Sequence, residues 1–140
     1  MLEIQEILKL LPHDVPFVYL DRIIEIEPGC RGVGIKAVTA GEALLDRGGT
    51  HCYFPPVLII EACGQLTGIV CACREQKRMT TNYLAAIPFF RFHRVIAMGD
   101  VLRLESVIVK RAQQLIYADV KAWVDDAPVA EGALMITNYH

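Results

Sequence analysis

Serine is almost missing from this chain of 140 residues. The single serine, Ser106, falls in a segment of strand-forming residues, so a serine-hydrolase triad is not expected. The sequence also has no phosphate-binding loop and no dinucleotide fingerprint, which argues against the common nucleotide-binding classes. No repeat or linker interrupts it, and this length predicts a single domain over 1–140.

A strong excess of either charge is absent too. Fourteen Lys and Arg face 16 Asp and Glu, giving a net charge of −2, which argues against a dedicated nucleic-acid binder. Charged residues make up 21% and hydrophobic residues 54%, so disorder is excluded. The mean hydropathy of +0.35 is high for a domain with so little interior. This excess predicts an oligomer, a lipid-handling cavity, or both.

The five cysteines form no CxxC pair, and their odd number does not suit a disulfide framework. Cys71 and Cys73 lie in an apolar run, where a free thiol behaves as a small hydrophobe. A site built from these two with His51 and Cys52 matches no standard zinc spacing, so we expect no metal. Buried thiols in a reducing cytoplasm are the simpler interpretation.

No signal peptide and no membrane span are predicted. The first fourteen residues hold two glutamates within the first six positions and no uninterrupted apolar stretch. The most apolar window, 55–73, is broken by Glu61 and Gln65 and is too short for a membrane span once they are discounted. We therefore expect a cytoplasmic protein.

Hydrophobic periodicity divides the chain into two helices and six strands around one irregular stretch. The order helix, two strands, long helix, four strands predicts an α+β fold, with an antiparallel sheet around one buried central helix. Such a sheet leaves an edge exposed, which two subunits can cover by pairing edge to edge. The predicted helices are 3–11 and 57–76, the strands 18–26, 31–39, 82–94, 100–110, 115–124 and 129–138, and the irregular stretch 40–54.

Short motifs recur in a fixed order along nearly the whole chain. They are 11–17 (LPHDVPF), 21–22 (DR), 57–62 (VLIIEA) with Gln65, 83–87 (YLAAI), 91–92 (RF) and 99–100 (GD). With these motifs the chain resembles the hotdog-fold (3R)-hydroxyacyl-ACP dehydratases of fatty acid synthesis, the FabZ type related to FabA. The resemblance implies a homodimer, or a trimer of such dimers, acting on acyl-ACP or acyl-CoA. It implies no cofactor beyond the pantetheine that the substrate carries.

The resemblance also implies a reaction, the elimination of water from a 3-hydroxyacyl thioester. A loop His acts as base, and a carboxylate on the central helix, from the other subunit, handles the departing hydroxyl. Backbone N–H groups at the start of that helix polarise the thioester carbonyl. The carboxylate corresponds to Glu61, the one acidic residue in an apolar run, where burial is expected to raise its pKa.

Two parts of this machinery differ here. Arg47 stands where the family has its His, and a guanidinium that stays protonated cannot be a base. His51, four positions later, is the candidate replacement. Pro56 stands where the family has Gly and has no N–H to offer, so Val57 is the remaining donor to the thioester carbonyl.

The remaining candidates are assigned to substrate and carrier. Gly64 within the helix costs about 1 kcal/mol relative to Ala, which close sheet packing or room for an acyl chain would explain. Basic side chains suit docking of an acidic carrier protein or a CoA phosphate. His13 is interpreted as a structural loop residue. The substrate-binding candidates are Phe54, Val57, Gly64 and Phe92, and the docking candidates are Arg91 and Arg94.

Three functions stay open at this point. The first is a working dehydratase that uses Glu61 and His51. The second is a catalytically weak dehydratase-like subunit that forms a heteromer with another hotdog chain. The third is an acyl thioesterase, in which Glu61 activates water or attacks the acyl carbon without any His.

Overall fold

The computed structural model describes residues 1–39, 53–77 and 81–139. Within them the helices are α1 (Ile4–Leu10) and α2 (Pro56–Glu75). The strands are β1 (Arg22–Glu27), β2 (Arg31–Ala37), β3 (Tyr53–Phe54), β4 (Thr81–Phe92), β5 (Ile96–Ala97), β6 (Val101–Ala112), β7 (Leu115–Val124) and β8 (Ala127–Tyr139).

Six strands form one antiparallel sheet in the order β1-β2-β6-β7-β8-β4. The helix α2 packs against this sheet, and the two together enclose the main hydrophobic core. Along β7, side chains from Ile116 to Val124 are buried at every second position, because successive residues of a strand face opposite sides. The predicted α+β hotdog arrangement, a sheet around one long helix, is confirmed.

The central helix begins and ends where the sequence predicts. Pro56 occupies its first position, where a missing N–H costs nothing, and Gln76 closes it in a left-handed conformation with φ 54°. Twelve of its 20 residues are buried, as its apolar surroundings predict. In the described part of the chain α2 is long and apolar enough to cross a membrane, but 67% of its most apolar window is buried inside the fold. That burial is typical of a core helix.

The first strand starts later than predicted, at Arg22 rather than at residue 18. The reason lies in Gln65, whose amide bonds both the Tyr19 N–H (2.9 Å) and the Phe17 carbonyl (2.8 Å). The segment before β1 is therefore held against α2 instead of joining the sheet. The irregular stretch predicted over 40–54 is wrong at its end, since Tyr53 and Phe54 form β3, and residues 40–52 lie outside the described residues.

A second, small sheet was not predicted at all. Strands β3 and β5 pair through Tyr53 with Ala97 and Phe54 with Ile96. This ribbon ends one residue before α2, so it fixes the entry of the chain into the central helix.

The two edges of the large sheet differ. At the β1 edge, the Leu2 N–H and carbonyl bond the backbone of Ile23 at 2.8 and 2.9 Å. At the β4 edge, every residue from Tyr83 to Phe92 is exposed except Phe90, which is half-buried. The exposed large side chains of β4 are Tyr83, Leu84, Ile87, Phe89 and Phe92. Such an apolar edge is typical of a surface that another chain covers.

The thiols divide by position. Cys63 and Cys71 on α2 are buried and Cys73 is half-buried, whereas Cys30 is exposed. Burial raises the pKa of the Cys63 thiol to about 12. The prediction of buried thiols is thus confirmed for Cys63 and Cys71 and wrong for Cys30. Cys52 lies outside the described residues.

Candidate active site

Glu61 lies in the second turn of α2, on the wall of a cavity of about 400 Å³. Three segments build this cavity: the chain between α1 and β1, the first turns of α2, and strand β4. Its wall is apolar apart from a few polar groups that surround one carboxylate. The lining residues are His13, Phe17, Tyr19, Val57, Leu58, Ile60, Glu61, Leu84 and Ile87.

Two nitrogen donors converge on a single oxygen of Glu61. His13 Nε2 lies 3.3 Å from Oε1, and Gln65 Nε2 donates to the same oxygen at 3.1 Å. The other carboxylate oxygen, Oε2, has no hydrogen-bond partner among the described residues. The carboxylate is therefore oriented through one oxygen, while the other remains available.

Gln65 ties this arrangement together from one turn further along the helix. Its side chain is 1% exposed, and all its bonds are made inside the fold. The amide oxygen accepts from the Tyr19 N–H, and the amide nitrogen donates to both Phe17 and Glu61. The loop wall of the cavity and the carboxylate thus share one buried amide.

The sequence predicts a buried Glu61 with a raised pKa, and both expectations are wrong for the described chain. Its side chain is 40% exposed to the cavity. Burial raises the pKa of Glu61. The hydrogen bonds from His13 and Gln65, together with the charge on His13, lower this pKa by more than burial raises it. The net shift is downward, so the carboxylate is ionised at neutral pH.

The start of α2 provides one backbone donor beside this carboxylate. Pro56 has no N–H, and the Leu58 N–H bonds the Pro55 carbonyl at 2.9 Å. The Val57 N–H has no acceptor among the described residues, and its side chain is 65% exposed at the cavity. Val57 precedes Glu61 by four residues, so both lie on the same face of the helix.

Two more of the predicted substrate residues lie around a second cavity of about 260 Å³ near the same helix start. Phe54 and Phe92 both line it, together with His93 and Arg94. Phe54 is 1% exposed and so belongs to the core, whereas Phe92 is 39% exposed. Of the predicted substrate residues, Val57 therefore lines the first cavity and Phe54 and Phe92 line the second, whereas Gly64 lines neither.

Acidic neighbours partly offset the basic side chains near this second cavity. The Arg94 guanidinium lies 3.5 Å from the Asp100 carboxylate. Arg91 and His93 approach Glu131 at 3.8 and 3.7 Å. These are long, exposed pairs, which leaves the guanidinium groups available to another anion.

Gly64 borders open space rather than a close neighbour. A Cβ built there meets no atom within 4 Å, so sheet packing does not explain this glycine. Of the two explanations that the sequence offered, room beside the helix remains. Gly64 does not line the cavity that holds Glu61.

The catalytic loop of the resemblance lies outside the described residues, and so do His51 and Arg47. In the ranges that are described, no three His, Cys, Asp or Glu side chains lie close enough to hold a metal ion. The residue that sequence reasoning missed is His13, which was interpreted as structural but contacts Glu61. Its signal was the polar pair His13-Asp14 shortly after a helix end, which does not reveal a partner 48 residues away.

Comparison with known proteins agrees with this architecture. A sequence model of the FabA-like domain matches residues 11–133. The 3-hydroxyacyl-acyl-carrier-protein dehydratase FabZ of Syntrophotalea carbinolica is 42% identical over 135 residues, covering 95% of this chain and 92% of that protein.

Solved structures match the fold at much lower identity. The dehydratase heterocomplex ApeI:P of Xenorhabdus doucetiae superposes with a TM-score of 0.84 at 16% identity, over 96% of this chain and 91% of that one. A hypothetical thioesterase of Streptococcus pneumoniae, solved with coenzyme A, gives a TM-score of 0.65 at 14% identity, over 84% of each chain. With its family match over most of the sequence and a relative at 42% identity, this dehydratase-like hotdog chain belongs to the FabA-like family.

Proposed function

We propose that this protein is a 3-hydroxyacyl-thioester dehydratase that removes water from an acyl chain carried on ACP or CoA. The observation that supports it best is the Glu61 carboxylate in an apolar cavity, one turn from the Val57 N–H, which has no acceptor in the described part of the chain. In the reaction a C2–H bond and the C3–OH bond break, a C2=C3 double bond forms, and water leaves. The curated relative at 42% identity carries the name of such a dehydratase.

The two groups have complementary tasks. The Val57 N–H, at the positive end of α2, donates to the thioester carbonyl and so makes the C2 proton more acidic. Glu61 exchanges a proton with the reacting carbons or the hydroxyl. His51 stays a predicted catalytic residue, as the loop base of a partner subunit.

The apolar walls suit an acyl chain, and the basic side chains suit its carrier. Val57 and Gly64 belong to the helix that the acyl group follows, while Phe54 and Phe92 line the neighbouring cavity. Arg91 and Arg94 would meet the acidic surface of ACP or the phosphates of CoA. No metal or redox group takes part in this chemistry, and we place the protein in the cytoplasm.

A homodimer completes the site in this proposal. Phe17, Val57, Leu84 and Ile87 surround Glu61, and each is more than 40% exposed in the single chain. The last two belong to the apolar β4 edge, so a second copy paired along β4 covers the edge and closes the cavity. Three such dimers can associate into a trimer of dimers.

Two alternatives are favoured by specific observations. Arg47 and Pro56 alter the family's loop base and helix-start donor, which favours a catalytically weak subunit that pairs with another hotdog chain. The likeness to the fold of a dehydratase heterocomplex fits that alternative. The ionised state of Glu61 favours a thioesterase, in which the carboxylate activates water.

Hydration of crotonyl-CoA or crotonyl-ACP, followed as loss of enoyl absorbance, tests the proposal. We expect turnover by the native protein and a loss of about 10²–10⁴-fold in Glu61→Gln, the usual range for general acid–base catalysis. Glu75→Gln, at the exposed end of the same helix, is the matched control. Release of free thiol from acyl-CoA would instead support the thioesterase. If the protein alone shows neither activity, and hydration appears when a second hotdog chain is added, the partner-subunit alternative would be supported.

Carrier docking has its own test. Reversing both charges in Arg91→Glu with Arg94→Glu should weaken binding of acyl-ACP, measured by titration calorimetry at low salt. Lys9→Glu with Lys121→Glu, two exposed positions elsewhere, is the control. Equal affinity of the two double variants would overturn this docking surface.

A further inference from the structure

The two oxygens of Glu61 have different surroundings. His13 and Gln65 both bond Oε1, at 3.3 and 3.1 Å, whereas Oε2 has no partner among the described residues. Two N–H donors on one oxygen stabilise the charged form of a carboxylate. They also fix its orientation, so that Oε2 is the oxygen left for a substrate in the cavity.

The ring of His13 donates to Glu61 and offers no base to the cavity. Its Nδ1 atom is buried and has no hydrogen-bond partner among the described residues. Nε2 is the ring nitrogen that faces Glu61, so it is the donor to the carboxylate, and Nδ1 lies on the other side of the ring.

Few other ionisable groups face this carboxylate. The segment between α1 and β1 contributes His13 and Tyr19, whereas α2 contributes only the uncharged amide of Gln65. Strand β4 contributes the apolar Leu84 and Ile87. Because no second carboxylate among the described residues lines the cavity, the ionisation of Glu61 is controlled there chiefly by its burial and by the donors His13 and Gln65.

We propose that His13 is the positioning residue of Glu61, and that Glu61 uses Oε2 both to take the C2 proton and to return it to the leaving hydroxyl. The carboxylate accepts the proton as the C2–H bond breaks and an enolate forms, stabilised by the Val57 N–H. The resulting carboxylic acid then donates this proton as the C3–O bond breaks and water departs. Glu61 is regenerated as a carboxylate, so this scheme needs no second acid or base and is an alternative to the scheme with His51 as the base.

The proton transfers assigned to Glu61 rest on the proposed dehydration. The role of His13 in holding Glu61 in its ionised form does not depend on that reaction. The lowered pKa of Glu61 agrees with a carboxylate that starts as a proton acceptor. It also accounts for Arg47 at the position of the family's base, since one carboxylate performs both transfers. The elements required, Glu61, His13 and Val57, all belong to one chain.

The state of Glu61 can be measured without any activity. Carbon-13 labelling of the glutamate carboxyls gives a titration curve for Glu61, assigned by its disappearance in Glu61→Gln. We expect the pKa to rise in His13→Ala, because burial is then opposed by one donor fewer. In His13→Gln, whose amide can still donate, it should return toward the native value. An unchanged or lower pKa in His13→Ala would overturn the positioning role, even if the protein proves inactive.

The pH dependence of crotonyl-CoA hydration distinguishes the role in the reaction. If ionised Glu61 is the active form, His13→Ala shifts the acidic limb of the kcat/KM profile to higher pH. Its activity then approaches that of the native protein at high pH, which a general loss of structure would not produce. A shift of the basic limb alone would show that protonated Glu61 is the active form and would overturn the inference. Absence of hydration in the native protein would overturn the proposed dehydration, while the carboxyl titration still decides the role of His13.

Discussion

The hydroxyl oxygens of Thr67 and Ser106 lie 2.7 Å apart, both fully buried between α2 and β6. The Thr67 hydroxyl donates its hydrogen to the Cys63 carbonyl at 2.8 Å, so Ser106 is the donor in the hydrogen bond between the two hydroxyls. This contact connects α2 to the middle of the sheet. The one serine of the sequence therefore has a structural role.

Breaking this pair from one side should cost more than removing it entirely. Thr67→Val leaves the Ser106 hydroxyl buried without its acceptor, and we expect a loss of about 1–3 kcal/mol in the free energy of unfolding. Adding Ser106→Ala should recover part of that loss, since the unpaired hydroxyl is then gone. Urea unfolding at one fixed protein concentration measures both, and strictly additive losses would contradict the pairing.

Two glycines should respond oppositely to alanine. At Gly64 an added Cβ meets nothing within 4 Å, so Gly64→Ala should stabilise the helix by about 1 kcal/mol. At Gly132 the same atom would clash with the Phe90 ring and lie 2.7 Å from the Phe89 carbonyl, so Gly132→Ala should destabilise the fold. Thermal unfolding compares the two. Destabilisation by Gly64→Ala would mean that a partner chain fills the space beside it.

A charge on the β4 edge should separate the subunits. Phe89 is 50% exposed, and we expect Phe89→Lys to give a monomer with reduced hydration activity, since β4 also closes the Glu61 cavity. Val101→Lys, at a position 51% exposed on β6, is the control and should leave the oligomer intact. Light scattering after size-exclusion chromatography measures the mass. A dimeric Phe89→Lys would place the interface elsewhere.

The stability of the protein should depend on pH through Glu61. A carboxyl whose pKa is lower in the folded state contributes stability above its unfolded pKa and loses it as the pH falls through the folded value. The free energy of unfolding should therefore decline more steeply below about pH 4.3, the ordinary range of Glu, in the native chain than in Glu61→Gln. Glu75→Gln, at the exposed end of the same helix, is the control variant. Urea unfolding between neutral and acidic pH gives both curves.

Local pattern was enough to predict most of the fold. The alternation along β7 and the apolar length of α2 each depend on neighbours in sequence, and both were predicted within one or two residues. Strands β3 and β5 have two residues each, which is too short for any periodicity to register. The start of β1 depended on Gln65, a residue more than forty positions away.

In the site, too, features that depend on neighbouring residues could be predicted, and features that depend on distant residues could not. Glu61 could be found because a lone carboxylate in an apolar run is unusual. The direction in which the pKa of Glu61 shifts could not be predicted, because the sequence suggests burial but does not show which donors reach the carboxylate. His13 reaches Glu61 only because the chain after it is held across α2 by Gln65.

The bridge between Leu2 and Ile23 limits how this protein can assemble. It occupies backbone groups at the β1 edge, and the exposed Arg22, Glu25 and Glu27 make that edge unattractive to another strand. Strand addition is then favoured only along β4. When two copies join along β4, the joined sheet of the described strands ends in β1 on both sides, where the Leu2 bridge and the charged side chains disfavour a further strand. The N-terminal segment thereby favours a finite particle over a fibre.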